Sequence, residues 1–147
     1  MKVIVLILLA GISLSYNPDA AISYAKTYCK NFNPNYNNYK YKGGDSANFV
    51  SQCLTAGGLN FDGCRGRDDK GMIPNDIDLR SCLRSKGWKF STTRPPSFRA
   101  GYPITDKYYY RTMIVTGIDG NNIFYCDHFY DKCNIKERDR SFYYLYL

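Results

Sequence analysis

The stretch GGDSANFVSQC, residues 43–53, predicts a tight glycine turn followed by a helix. Its two glycines permit a tight turn, and Asp45 and Ser46 then occupy the first positions of a predicted helix. The apolar face of this helix consists of Phe49, Val50, Cys53 and Leu54. The pair Gly57-Gly58 ends it. The stretch therefore predicts a tight turn that leads directly into a helix with one apolar face.

Asp45 and Ser46 are the residues of this stretch whose side chains could take part in catalysis or anion binding. A side chain at a helix N-terminus meets unbonded backbone N–H groups and the positive end of the helix dipole, which stabilise a thiolate, an alkoxide or a bound anion. Asp and Ser are also favoured there as ordinary N-caps. The spacing alone leaves both interpretations open.

Two further helices are predicted, one on each side of this stretch. Asn17 as N-cap and Pro18 at the first helical position predict a helix over residues 18–31. Asn75 as N-cap predicts a third helix over residues 75–86.

Beyond Trp88 the pattern changes from helical to extended. Aromatic and β-branched residues predict strands over 108–118 and 122–127, joined by a turn at 119–121, and a closing strand over 142–147. Helices followed by an antiparallel meander predict an α+β domain.

Composition limits the classes of protein that this chain can represent. A length of 147 residues suits one domain, and 44% hydrophobic with 22% charged residues excludes disordered and fibrous chains. The net charge of +7 favours anionic partners. We expect no nucleic acid partner, because the basic residues are scattered and interleaved with acids such as Asp68 and Asp69. No later apolar run is long enough for a membrane helix, so no integral membrane association is expected.

The N-terminus has the pattern of a secretory signal peptide. Lys2 precedes the apolar run Val3–Ala10, and Ser13 and Ser15 are the small residues that predict cleavage before Tyr16. A buried strand or a short anchor is the alternative. The predicted organisation is a signal peptide over 1–15 and a single domain over 16–147. We therefore expect a secreted protein, or one in the lumen of the secretory or phagosomal pathway.

Six cysteines follow the predicted cleavage site. They are Cys29, Cys53, Cys64, Cys82, Cys126 and Cys133. In an oxidising compartment an even number predicts three disulfides, for which we expect the pairs Cys126–Cys133 and Cys64–Cys82. A zinc site is the alternative, but the chain has one His and neither a CxxC nor a CxxH pair. No metal or other cofactor is expected.

Five segments carry a family resemblance. They are GGDSANFVSQC, Ala56-Gly57-Gly58, CRG at 64–66, KGWK at 86–89 and VTGI at 115–118. Together they resemble the putative amidase domain family of the papain-like superfamily, which includes NlpC-type cell-wall peptidases. The resemblance implies a papain-like (NlpC-type) α+β fold, in which a helix carries the nucleophile at its N-terminus and packs on an antiparallel sheet.

The resemblance also implies roles for individual residues. The family's nucleophile is usually Cys, and Ser46 stands at that position, between a matching Asp45 and a matching Asn48. The family's base, a His at the start of the strand that runs into Val-Thr-Gly, falls on Arg111. His128 matches a His found on the following strand in relatives.

Ser46 in place of Cys and Arg111 in place of His are expected to weaken catalysis. A serine hydroxyl needs a well-placed general base, and the guanidinium of Arg111 stays protonated. Only His128 is left to pair with Ser46. The candidate acids that could orient His128 are Asp45, Asp127 and Asp131.

Three functions therefore remain open. The primary hypothesis is a degenerate amidase, monomeric, that binds a peptide or a cell-wall glycopeptide through Ser46, Arg111, Asn48 and Asp127. The second is an active amide hydrolase that uses Ser46 with His128. The third is a secreted structural or lectin-like domain that displays its tyrosines.

Overall fold

The computed structural model of the chain describes residues 15–108, 111–139 and 142–147, and within them it contains three helices and six strands. The helices are α1 (Pro18–Tyr28), α2 (Ser46–Ala56) and α3 (Asp76–Ser85). The strands are β1 (Lys89–Ser91), β2 (Pro103–Asp106), β3 (Thr112–Asp119), β4 (Asn122–Asp127), β5 (Lys132–Arg138) and β6 (Phe142–Tyr146). Apart from Ser15, the predicted signal peptide lies outside the described residues.

The strands form one antiparallel sheet in the order β1-β6-β2-β3-β4-β5. The predicted α+β class is confirmed. Since β1 and β5 are the outermost of the described strands, β3 and its neighbours lie in the middle of the sheet and support the helices.

Helix α2 is the centre of the core. Every residue from Ser46 to Leu54 is buried, which exceeds the one-sided burial that its apolar face predicts. It packs against α1 and β3. On α1 the small residues Ala21 and Ala25 are fully buried, and small side chains let two helix backbones approach closely. Burial on all sides gives the N-terminus of α2 a fixed position.

The segment that enters α1 is tied to the rest of the domain at Tyr16. Its hydroxyl donates to the carbonyl oxygen of Gly101 at 2.5 Å, and its ring contacts the ring of Trp88 edge-on. A Cβ at Gly57 would lie 2.4 Å from Cε2 of Tyr16, so the end of α2 needs glycine to admit this ring.

The local sequence signals predict the helices better than the strands. Asn17 and Asn75 cap α1 and α3 as expected, although α1 ends at Tyr28 and not at residue 31. The strand predicted from residue 108 begins at Thr112. Strands β1, β2 and β5 were not predicted. β5 is a mostly exposed edge strand rich in charged residues, so it lacks the alternation that marks a half-buried strand.

The disulfide prediction is correct for one pair and wrong for another. Cys64 is bonded to Cys82, as expected, but Cys133 is bonded to Cys29 and not to Cys126. The side chain of Cys126 is fully buried, and its sulfur accepts a hydrogen bond from the backbone N–H of Asn134. The expected third bridge does not form, and Cys53 and Cys126 are both unpaired.

Burial determines the chemical character of the two unpaired cysteines. It raises the pKa of the Cys53 thiol well above its ordinary value and raises the pKa of Cys126 as well. Both therefore act as small apolar residues of the core.

Candidate functional site

The turn that precedes α2 brings Asp45 and Ser46 to the helix N-terminus as predicted. Gly43 and Gly44 have φ angles of +98° and +103°, which L side chains rarely adopt, so the sharp turn requires glycine. Asp45 occupies the N-cap position, yet its side chain makes no capping hydrogen bond to the first turn of α2. Capping thus does not explain why an acid stands here.

The Asp45 carboxylate is part of a largely buried hydrogen-bond network. One oxygen accepts the backbone N–H of Tyr39 and the side-chain amide of Asn48, both at 2.9 Å. The other lies 2.6 Å from Nδ1 of His128. All of these groups except Tyr39 are buried. Asn48 also donates to the Asn37 carbonyl at 2.7 Å, so its amide nitrogen is engaged within the fold and does not face a ligand.

Both ring nitrogens of His128 are bonded within the fold. Nε2 lies 2.5 Å from the carbonyl oxygen of Tyr28. A carbonyl oxygen has no proton, so Nε2 must carry one and donate it. The ring stacks on Phe49 with centroids 3.8 Å apart, and the residue is 2% exposed. Neither nitrogen presents a lone pair to Ser46.

The Ser46 hydroxyl contacts a different residue, Asp76. Its oxygen lies 3.3 and 3.4 Å from the two carboxylate oxygens of Asp76, the first residue of α3. One of these oxygens also accepts the backbone N–H of Thr112 at 2.8 Å. Asp76 thus connects Ser46 to the start of β3, directly after Arg111. The structure does not bring Ser46 and His128 into a hydrogen bond.

Asp76 is the residue of the site that sequence reasoning missed. Partial burial raises its pKa above 3.8, while hydrogen bonds from Thr112 and Ser46 and the charge of Arg80 oppose the rise. Asp76 falls within the helix predicted over residues 75–86, but nothing in the sequence pattern marked it as a site residue. Its separation of 30 residues from Ser46 gave no local signal.

Arg111 lies at the rim of the site among aromatic rings. Its guanidinium carbon is 4.9 Å from the ring centroid of Tyr130 and 5.6 Å from that of Phe129. Both rings are largely exposed. A Cβ on Gly44 would lie 3.7 Å from the Phe129 ring, so this aromatic cluster borders the turn before α2.

The remaining predicted residues lie in the turn after β4. Asp127 is fully buried and accepts the backbone N–H of Tyr130 at 2.9 Å. Asp131 forms an ion pair with Lys40. Neither hydrogen bonds to His128 in the described part of the chain, where Asp45 is the acid bonded to that ring.

A small cavity opens beside the two helix N-termini. It has a volume of about 270 Å³. Its walls are formed by Tyr39, Lys42, Gly43, Gly44, Pro74 and Asn75. The last two of these precede Asp76, and the glycines precede Asp45, so the cavity adjoins the segments that carry Ser46 and Asp76.

Comparison of the chain with known proteins identifies its family. The family model described as a putative amidase domain matches residues 15–98, which is more than half of the chain. The chain belongs to the putative amidase domain family. No curated protein and no solved structure matches it.

The family match covers part of the site of this putative amidase domain. Asp45, Ser46 and Asp76 lie inside the matched range, whereas Arg111 and His128 follow it. The roles of the latter two therefore depend on their contacts alone. Among the described residues of the amidase domain, no group of three or more His, Cys, Asp or Glu side chains could hold a metal ion. None of its described helices is both long and apolar enough to cross a membrane.

Proposed function

We propose that this chain is a ligand-binding member of the putative amidase domain family in which amide hydrolysis is lost or strongly weakened. The observation that carries the proposal is the bonding of His128, whose two ring nitrogens are taken by Asp45 and by the Tyr28 carbonyl. Ser46 therefore has no imidazole to accept its proton.

Neither Arg111 nor a rearranged His128 replaces the missing base. A guanidinium stays protonated at every accessible pH. To reach Ser46, His128 would have to leave the buried carboxylate of Asp45, and leaving a buried carboxylate without its partner costs about 3–5 kcal/mol. General-base assistance contributes roughly 10²–10⁴-fold to such reactions, so hydrolysis without it is slow.

The rim of the cleft supports binding of a carboxylate-bearing peptide or cell-wall glycopeptide. Arg111 supplies a cation, and Phe129 and Tyr130 supply exposed rings on which apolar or sugar groups can stack. Lys42 adds a second cation in the adjoining cavity. A secreted, monomeric protein is part of this proposal, and the two disulfides are compatible with an oxidising compartment.

One contact favours a second candidate, a serine hydrolase that uses Asp76. The Ser46 hydroxyl lies 3.3 Å from the Asp76 carboxylate, which could accept its proton. The hydrolase that pairs Ser46 with His128 remains an alternative that requires His128 to move.

The test combines covalent labelling with binding. The purified protein is treated with a fluorophosphonate probe, which labels activated serines, beside the Ser46→Ala variant. We expect no label on Ser46. Labelling that Asp76→Asn abolishes would establish the second candidate, and labelling that depends on His128 would establish the alternative dyad.

Binding is measured in the same experiment by calorimetry with soluble peptidoglycan fragments. We expect Arg111→Gln to weaken binding, while Arg138→Gln, an exposed arginine on the edge strand β5, serves as the matched control. Equal affinities of the two variants would contradict a role of Arg111 in the site.

A further inference from the structure

A second concave surface lies between α3 and the edge strand β1. It has a volume of about 620 Å³, within the range of ligand-binding clefts. Its walls are formed by Ile77, Arg80, Ser81, Arg84 and Phe90. We call this surface the α3–β1 groove.

The groove follows from the way in which α3 packs. Leu79, Cys82 and Leu83 are its buried residues. The groove residues of α3 follow the spacing i, i+3, i+4, i+7 and form a separate ridge. Ile77 on this ridge is 64% exposed, and Phe90 opposite it is 36% exposed. Two large apolar side chains thus face solvent on both sides of one groove.

The charge of the groove is positive. The guanidinium carbon of Arg84 lies 5.9 Å from the Phe90 ring centroid, and among the described residues Arg84 forms no ion pair. No acidic side chain lines the groove. Asp76 lies near one end, where the charge of Arg80 lowers its pKa against the effect of burial. The centre of the groove, around Arg84 and Phe90, therefore has an excess of positive charge.

We propose that the α3–β1 groove is a docking surface for an extended peptide segment that alternates acidic with apolar side chains. Carboxylates of such a segment reach Arg80 and Arg84, while its apolar side chains cover Ile77 and Phe90. A sulfated glycan would satisfy only the arginines. β1 is the outermost described strand of the sheet, so an extended segment can lie alongside it. The proposal does not depend on the cleft at Ser46.

The test uses a fluorescein-labelled synthetic peptide of alternating Glu and Phe, with a second peptide in which Lys replaces every Glu. Fluorescence anisotropy with the full chain should show binding of the acidic peptide only, weakened by salt. Arg84→Glu should reduce the affinity about tenfold. Phe90→Thr should also weaken binding, since it removes the apolar contact and keeps a residue favoured in strands.

The chain offers a matched control for the charge reversal. Arg99 is also exposed, and its guanidinium carbon lies 5.8 Å from the Tyr102 ring, outside the groove. Arg99→Glu should leave the affinity unchanged. Equal effects of Arg84→Glu and Arg99→Glu, or equal binding of the two peptides, would overturn the proposal. So would a heparin-type oligosaccharide that binds with the same Arg84 dependence and no Phe90 dependence.

Failure of this proposal can be distinguished from failure of the proposed function. The groove variants Arg84→Glu and Phe90→Thr should leave the affinity for peptidoglycan fragments unchanged, and Arg111→Gln should leave the acidic-peptide affinity unchanged. An effect of either set on the other ligand would contradict two separate surfaces.

Discussion

Asp45 and Ser46 are consecutive residues at one helix N-terminus, yet their side chains contact different parts of the fold and differ in how firmly they are bonded. Asp45 is fully buried and hydrogen bonds to three separate groups, one of them His128. Ser46 is buried too, but among the described residues its hydroxyl makes only the long contacts to Asp76. The first side chain is fixed in the rigid interior, and the second is held more loosely against the start of α3.

Helix geometry explains this difference. Successive side chains at a helix start point about 100° apart, so neighbours in sequence face different elements. Asp45 faces the end of α1 and the turn after β4, where His128 lies, whereas Ser46 faces α3. The Ser46 hydroxyl and the His128 imidazole are therefore directed to different partners, although Asp45 and Ser46 are neighbours in the chain.

Covalent and ionic links hold the imidazole on the Asp45 side. The Cys29–Cys133 disulfide joins the residue after α1 to β5, close to the Tyr28 carbonyl that His128 binds. The Lys40–Asp131 ion pair joins the turn after β4 to the loop before α2. A swing of His128 towards Ser46 would disturb this whole region.

The largest effect is expected from placing a thiol at Ser46 and an imidazole at Arg111. Ser46→Cys combined with Arg111→His should raise amide hydrolysis about 10²–10⁴-fold over Ser46→Cys alone, since a thiol and an imidazole at these positions can form an ion pair. Asp76 already connects Ser46 to the residue after Arg111. Hydrolysis of a fluorogenic amide substrate measures the gain. If Ser46→Cys alone were equally active, His128 would be within reach after all, and the separation of the two sides would be wrong.

A second large effect should follow from removing the His128 ring that is bonded to Asp45. His128→Ala removes the partner of a buried carboxylate and should lower the free energy of unfolding by about 3–5 kcal/mol. Urea denaturation followed by tryptophan fluorescence measures the loss. Asp45→Asn, which keeps the shape of the side chain, is the companion variant and should also be destabilising. A loss below about 1 kcal/mol for His128→Ala would show that the ring is not a structural element.

The sequence predicts those features of the molecule that are fixed by local chemistry. Asn17 and Asn75 identify helix starts because capping requires particular side chains at one position. The Gly43-Gly44 turn is equally local, since its φ angles exclude most residues. The position of Ser46 at the start of α2 follows from these signals.

The pairings across the fold could not be predicted in the same way. The bond of Cys133 to Cys29 spans 104 residues, and its choice depends on the packing of α1 against β5. The contact of Ser46 with Asp76 likewise requires α2 and α3 to meet at their N-termini. No spacing along the chain encodes either contact, whereas the short loop between Cys126 and Cys133 suggested a pairing that the Cys29–Cys133 bond replaces.

A smaller effect is expected from titration of Asp76. Its pKa in the folded protein is raised above 3.8, so the folded state binds this proton more tightly than the unfolded state. The stability that protonated Asp76 contributes is present at low pH and is lost as the pH rises from about 3.8 through the raised value. Urea denaturation at several pH values, compared with Asp76→Asn, should show the wild type losing stability relative to the variant over this window. The opposite slope would mean that hydrogen bonds to the ionised carboxylate outweigh its burial.

The smallest effect is expected from Ser46→Ala. Among the described residues the Ser46 hydroxyl contacts only Asp76, at 3.3 Å or more, so it contributes little and the free energy of unfolding should change by less than about 1 kcal/mol. Asp76 keeps the backbone N–H of Thr112 as a donor in this variant, so its carboxylate is not left without a partner. A loss above about 2 kcal/mol in urea denaturation would place Ser46 in the rigid interior with Asp45. Because the fold should tolerate the change, any loss of ligand affinity in Ser46→Ala can be attributed to the hydroxyl itself.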